Sequence, residues 1–380
     1  MSVAPMKEVL LDLEQLVLSV RTIAWTGFIS LTLGKDSLIV KRSGLARVTA
    51  VARSNYDVVN RTGMHFKSQK YGEIPGWRPD RLCDSVESAA DRPYDYVILT
   101  TKAIPDLVKT PTILAPLLTS PYIDKHPQPA YVLLQNGLNV EVDLYQAIKA
   151  LGKDEPKIIG TSLFHWNEST RSRYTMIILL PSTLPKETAI LDGIASILAK
   201  GGSTVSVVPE IQRKKFSKNF WNVAFSASAT LTGYTLPSLF RAPPDNSSVK
   251  YEPYVAPKTA NLINEHTLPT IKAIMEELIS LANYLQGRAL GFPDSEDGLP
   301  SSIVESTIAN TAAIHVKPES THVPSMLLDA RKGQPIEVEV ILGEVVRMAK
   351  DRGVPVPRIE TLYGLLLVVQ NQIIRKTTKL

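Results

Sequence analysis

Cys83 is the only cysteine in 380 residues. That excludes intramolecular disulfides and thiolate zinc sites, and makes a reducing compartment, the cytoplasm, the expected setting. The glycosylation-type triplets at Asn60, Asn167 and Asn246 then read as chance matches. Long apolar runs are also missing. The longest uncharged stretch near the N-terminus, Thr22 to Gly34, falls short of the roughly 20 residues that span a bilayer, and no membrane partner is expected. Lys7, Glu8, Asp12 and Glu14 sit where a secretory leader would need apolar residues. Blocks of five or six like charges are absent, the longest basic cluster being Arg213, Lys214 and Lys215, which argues against a nucleic-acid arm. The six histidines show neither HxH nor HExxH spacing, so no metal site is expected. The terminal Thr378-Lys379-Leu380 loosely resembles a peroxisomal address but reads as a frayed basic tail.

What is present describes an ordinary globular chain, 44% hydrophobic and 21% charged, with a net charge of +5 that suits a small anionic ligand. At about 150 residues per domain its length predicts two domains. In the first half, VLL ending at Leu11, RVTAVA ending at Ala52, YDYVILT around Leu99 and AYVLLQ around Leu134 are short, unpatterned and mostly apolar, as parallel strands covered on both faces are. Each is followed by polar or helix-compatible sequence, the mark of a doubly wound α/β domain. Lys157 to Gly160, Tyr174 to Leu180 and Thr204 to Val208 extend the sheet. From Pro209 the pattern turns helical. Ile271, Ile274, Leu278, Leu281 and Leu285 recur at spacings of three and four between Pro269 and Gly287. Ile336 to Lys350 and Arg358 to Ile374 follow as helices, and Arg241 to Pro257 as a loop. The expected domains are thus 1–208, Rossmann-like, and 209–380, mainly helical.

Candidate residues lie in both parts. Arg53 follows the second strand, where an NAD-binding domain places an acidic residue; an arginine there either accommodates the 2′-phosphate of NADP or is a solvated strand-end side chain. Lys102 and Asn136 stand just past the carboxyl ends of the next two strands, where open α/β sheets bind ligands, although Asn-Gly is also ordinary turn chemistry. Lys218 and Asn222, at i and i+4, share a helix with Phe220, Trp221 and Phe225. Such a lysine is either partly desolvated and tuned as a proton donor or snorkels from the core edge, and on residue physics alone snorkelling is the commoner outcome. Glu337, after Pro335, falls in a first helical turn, where the helix dipole favours a carboxylate without any function.

Together these stretches resemble the 2-dehydropantoate 2-reductase (ketopantoate reductase) family. The most specific piece runs from Pro324 to Leu366 and matches the signature S-M-x-x-D-x-x-x-G-x-x-x-E-x-x-x-x-x-G with Ser325, Met326, Asp329, Gly333, Glu337 and Gly343. LTTKA, LLQNGL and the K-x-x-x-N of Lys218 and Asn222 match in the same order. The resemblance implies a Rossmann domain, a helical C-terminal domain, an active site in the cleft between them, and a possible homodimer. It implies hydride transfer from NADPH to the ketone of a 2-oxo acid, ketopantoate giving pantoate for pantothenate biosynthesis. Carried over, Lys218 is the general acid, Asn222 and Ser325 hold the substrate, and Glu337 fixes the reacting group and cofactor. Asn136 contacts nicotinamide and substrate, while Lys102 and Arg53 serve the cofactor.

Two departures qualify these expectations. Ser226 stands where the family often has a second asparagine, consistent with a paralogous reductase of another 2-oxo acid. More serious, the first strand does not run into G-x-G-x-x-G, the turn that brings backbone N–H groups to the pyrophosphate. Gly27 and Gly34 are the only glycines between Leu11 and Gly44, at the wrong spacing, so Asp12 to about Asp36 replaces the glycine loop. This predicts weakened NADPH binding, and with it the alternative of a catalytically impaired homologue.

Overall fold

The computed structural model describes residues 6–12, 32–68, 71–165, 172–178, 185–208, 210–245, 251–282, 290, 292–295 and 299–377. Most of the anomalous loop segment (13–31), the sites at Asn167 and Asn246, the end of the expected helix at Gly287 and the C-terminal tripeptide lie outside them. The chain divides between Gln212 and Arg213 into two compact units.

The first unit is built on an eight-stranded sheet. Its strands are β1 (Lys7–Asp12), β2 (Ala46–Val51), β5 (Arg81–Cys83), β6 (Tyr96–Leu99), β7 (Ala130–Leu133), β8 (Ile158–His165), β9 (Ser172–Ile178) and β10 (Thr204–Val207). A separate antiparallel pair is formed by β3 (Met64–Ser68) and β4 (Gly72–Trp77). The large sheet has the order β10-β9-β8-β7-β6-β1-β2-β5. From β5 through β8 every pairing is parallel; β9 runs antiparallel to β8, and β10 parallel to β9. All four residues of β6 and of β7 are buried, which explains their unbroken apolar sequences.

The helices Thr32–Arg42 and Pro185–Lys200 contribute Leu38, Ile39, Val40, Ile194, Ile197 and Leu198 to a core shared with Val9, Val48, Ala50, Ile98, Val132 and Ile159. β3, β4 and β5 escaped the sequence reading. β5 has three residues, and β4 carries Gly72, Pro75 and Gly76 with no buried position, so neither displays a buried apolar run.

The second unit is helical. Leu268–Ala282 buries Ile271, Ile274, Met275, Leu278 and Leu281, the face expected from the spacing. Buried Glu277 on the same helix accepts the backbone N–H groups of Arg358 and Ile359, each at 3.1 Å. That satisfies donors left open at the start of the long helix Pro357–Thr377. The expected helix over Ile336 to Lys350 starts later than its sequence suggests. Regular geometry begins at Val338, passes through a π turn at Glu339–Gly343 and continues as α-helix over Glu344–Arg352. Among the described residues no helix is long and apolar enough to cross a membrane.

Gly201 closes the helix Pro185–Lys200 directly over the backbone of Thr32–Arg42. A Cβ there would be driven into the Ile39 carbonyl, which is backbone and has no rotamer to move. Gly201→Ala is therefore expected to cost about 1–3 kcal/mol by overpacking, read as a lowered urea midpoint. An unchanged midpoint would show that the two helices separate freely.

Candidate active site

Parallel pairing places the carboxyl ends of β1, β2, β6 and β7 on one edge of the sheet. From β1 the chain moves outward to β2 and β5, then to β6, β7 and β8 on the other side of β1. The β1/β6 boundary is a topological switch point, the position at which open α/β sheets leave a ligand crevice. Arg53 lies two residues past β2, Lys102 three past β6 and Asn136 three past β7, all partly exposed on that edge. Three of the sequence candidates are thus gathered by one sheet.

The ends of β6 and β7 are tied by Gln135, whose side-chain amide donates to Thr101 Oγ1 at 3.3 Å. Gln135, Thr100 and Thr101 are all buried. Behind Asn136 the backbone turns through Gly137 at φ +92°, a conformation that favours glycine. Asn55, two residues beyond Arg53, holds a buried amide nitrogen with no hydrogen-bond partner among the described residues. A donor left open at the end of β2 fits an anionic or hydroxyl-bearing group such as the phosphorylated ribose of a dinucleotide. β1 ends at Asp12 and the next helix begins at Thr32. The nineteen residues between them, 13–31, exceed the 2–6 residues usual for such a turn.

The second unit gathers the remaining candidates. Lys218 lies on the helix Ile211–Trp221, which passes into a π turn at Asn222–Ser226 and then α-helix over Ala227–Thr232. In a regular α-helix two steps of four residues drift by about 80°. The wider π turn, with Ala227 N–H bonded to the Asn222 carbonyl, winds less per residue and draws Ser226 back toward the line of Lys218 and Asn222. The same turn packs against the π turn Glu339–Gly343 and against the helix Ser325–Arg331. Lys218 and Asn222 share this helix, Ser325 opens a helix packed against it, and the Glu337 carboxylate acts on Lys218, with Ser325 exposed and Glu337 buried.

Glu337 differs in position from the sequence expectation. It stands ahead of the helix rather than within its first turn, and its carbonyl accepts the Ile341 N–H at 3.2 Å. Pro335 and the buried Ile336 N–H, bonded to Gln370 Oε1 at 2.8 Å, hold this approach extended.

Electrostatics distinguish Lys218 from a surface lysine. It keeps some exposed surface, but crowding around its ammonium disfavours the charged form and brings its pKa down to about 8. The Glu337 carboxylate opposes that shift, and buried Lys215 adds to it. The result is an ammonium that is mostly charged at neutral pH and gives up its proton more readily than a solvated lysine.

Two of the six histidines, His315 and His322, form a ring ladder with Trp221 beside this region. His322, three residues before Ser325, lies 5.5 Å from the Trp221 ring, and His315 lies 5.6 Å from His322. His315 Nδ1 is 3.1 Å from Ser320 Oγ. Buried Arg241 braces the same segment by donating to the Lys317 and Ser320 carbonyls at 2.8 and 2.7 Å. Burial, then His322 and Arg241, push the His315 pKa down to about 4. Nothing in the spacing of positions 221, 241, 315 and 322 signals this contact.

A Rossmann-type sheet with its switch point at β1/β6, and a helical unit presenting a desolvated lysine beside a glutamate, define the class as a reductase-type oxidoreductase. Residues 38–174 match the family model described as ketopantoate reductase PanE/ApbA, and residues 255–370 match that of its C-terminal domain. The chain belongs to the ketopantoate reductase PanE/ApbA family. A Saccharomyces cerevisiae relative, "Uncharacterized protein YDL144C", is 26% identical over 349 residues, covering 85% of this chain and 86% of its own. The fold matches the crystal structure of 2-dehydropantoate 2-reductase from Methylococcus capsulatus with a TM-score of 0.66 at 20% identity, over 97% of this chain and 98% of that one. It also matches D-mandelate dehydrogenase in a ternary structure with NADH and anilino(oxo)acetate, with a TM-score of 0.65 at 17% identity, over 97% and 99% of the two chains.

The depressed His315 pKa has a consequence for stability. In the unfolded chain a histidine takes up its proton near pH 6.5, whereas in the fold His315 resists until about pH 4. Between those values the unfolded state binds more protons, so stability is full above pH 6.5 and falls as pH drops toward 4. The slope contributed approaches about 1.4 kcal/mol per pH unit. Urea titrations between pH 4.5 and 7 should show a steeper loss in the parent than in His315→Leu. Parallel curves would place the titrating group elsewhere.

Proposed function

We propose that the chain reduces the ketone of a 2-oxo acid to a hydroxyl group with NADPH as reductant, ketopantoate giving pantoate being the first substrate to test. The observation that carries this reading is Lys218, a proton donor drawn down to about 8 by desolvation beside Glu337, in a chain of this family. NADPH, when bound, supplies the hydride that the carbonyl carbon receives.

The protein's residues do the rest. Lys218 Nζ transfers its proton to the carbonyl oxygen as negative charge develops there, and its positive charge stabilises that oxygen before transfer. Glu337 keeps the ammonium charged until then by raising a pKa that burial alone would depress further. Asn222 and Ser325 hold the substrate, and Asn136 orients substrate and nicotinamide from the end of β7. Arg53 and the Asn55 amide hold the phosphorylated ribose, with Lys102 on the cofactor side. Arg53 discriminates NADPH from NADH because a guanidinium pairs with a phosphate and gains nothing from a bare hydroxyl.

Two other readings rest on specific residues. Ser226 in place of an asparagine favours a 2-oxo acid bulkier than ketopantoate. The nineteen residues at 13–31 favour a homologue with weakened cofactor binding.

Lys218→Ala should lower kcat by roughly two to four orders of magnitude and leave NADPH affinity nearly intact. In the parent, kcat should fall as pH rises through about 8, where Lys218 loses its proton. Steady-state kinetics with ketopantoate and with an aryl 2-oxo acid measure both; near-normal turnover by Lys218→Ala removes it from the chemistry.

Calorimetric titration of NADPH and NADH addresses the cofactor. Arg53→Asp should weaken NADPH far more than NADH. Equal affinities in a parent that binds both refute the role of Arg53, and no binding of either establishes the impaired reading.

A further inference from the structure

We propose that Asn219 is a positioning residue, whose side-chain amide holds the helix turn carrying Lys218 against the π turn that follows Glu337. Asn219 Nδ2 donates to the Ile341 carbonyl at 2.8 Å. Asn219 is next to Lys218 in the chain, and the two side chains leave the helix about 100° apart. One therefore points into the packing while the other keeps some exposed surface. At the other end of the bond, the Ile341 N–H is bonded to the Glu337 carbonyl, so a movement of the Ile341 turn is passed to Glu337. The bond thus closes a path from Lys218 through Asn219 and Ile341 to Glu337 that involves one side chain and otherwise only backbone.

Packing alone does not account for an asparagine here. Its flanking residues Phe216, Phe220 and Val223 are each 1% exposed or less, and Asn219 itself is 2% exposed. Its Oδ1 has no hydrogen-bond partner among the described residues, so the side chain bears an uncompensated desolvation cost that an apolar side chain would avoid. What the amide supplies, and an apolar residue cannot, is a directional link to one carbonyl. π turns have a slack that α-helix lacks, because some of their carbonyls lose the regular i→i+4 partner. Here the acceptor end of the bond lies within the π turn Glu339–Gly343, and the donor end lies in α-helix just ahead of the π turn Asn222–Ser226. The Asn219 amide is the cross-strut that sets their separation, and with it the distance over which Glu337 acts on Lys218.

This inference deepens the reductase reading and is tested separately from it. The charged groups acting on Lys218 are Glu337 and Lys215, so a loosened Glu337 leaves desolvation and Lys215 in control and moves the Lys218 titration to lower pH. Carbon-13 NMR of labelled lysine, with the Lys218 signal assigned by Lys218→Arg, follows that titration in the parent, Asn219→Leu, Asn219→Ala and Asn219→Gln without requiring turnover. The Leu and Ala variants should titrate at clearly lower pH than the parent, and Gln, which keeps the donor, should lie closer to it. If the reductase reading also holds, kcat should fall on the order of tenfold to a hundredfold in the Leu and Ala variants with NADPH affinity unchanged. A folded Asn219→Leu with the parental Lys218 titration overturns the proposal, and so does failure of both Leu and Ala variants to fold, which would make Asn219 a folding residue. A parent that reduces no 2-oxo acid overturns the reductase reading and leaves the NMR result to decide on Asn219.

Discussion

The desolvation of a single ammonium, Lys218, is the constraint on which the chemistry proposed for the helical unit depends. An isolated cation in a crowded site loses its proton, and a cation beside a fixed carboxylate keeps it; a pKa near 8 is the balance of the two. Glu337 supplies the opposing charge, and its own place is set by contacts distant in the chain. Its approach runs through Pro335 and Ile336, whose N–H is bonded to Gln370 Oε1 on the helix Pro357–Thr377 that Glu277 caps. The two π turns fit the same account, since each re-aims side chains at the cost of regular hydrogen bonding.

In the first unit the governing constraint is parallel pairing. It sends all carboxyl ends of β5, β2, β1, β6, β7 and β8 to one edge, and the chain changes direction at β1, which makes the β1/β6 boundary the switch point. Because both faces of the sheet are covered, its strands can be uniformly apolar, and polar chemistry is confined to the residues just past their ends. Arg53, Lys102 and Asn136 occupy those positions. The antiparallel β9 and its neighbour β10 lie beyond β8, away from the switch point.

Much of the architecture was legible because burial writes directly into composition. β6 and β7 are apolar at every position and could be located to within a residue or two, as could the start of the helix bearing Ile271, Ile274 and Leu278. The three-residue β5 and the exposed β4 were not legible, since neither buries a run of side chains. The start of the Glu337 helix was misjudged because Pro335 favours a first helical turn locally, while the buried Ile336 N–H is claimed by Gln370 from 34 residues away. Candidate site residues could be found one at a time from strand ends and i,i+4 spacing. Their grouping came only through the family resemblance, because nothing local relates positions 218, 325 and 337.

The sequence by itself thus determined the alternation of buried strands and amphipathic helices, the family to which they belong, and the residue types available for proton donation and anion binding. Each of these depends on hydrophobic periodicity or short-range spacing, which the chain carries in its linear order. Tertiary structure decided what those residues experience. The lowered pKa of Lys218 beside Glu337, the neutral His315 packed on His322 and crowded by Arg241, and the buried Asn219 bonded to Ile341 all depend on how the chain packs. Desolvation and Coulomb interaction depend on distance in space, and only packing sets that distance.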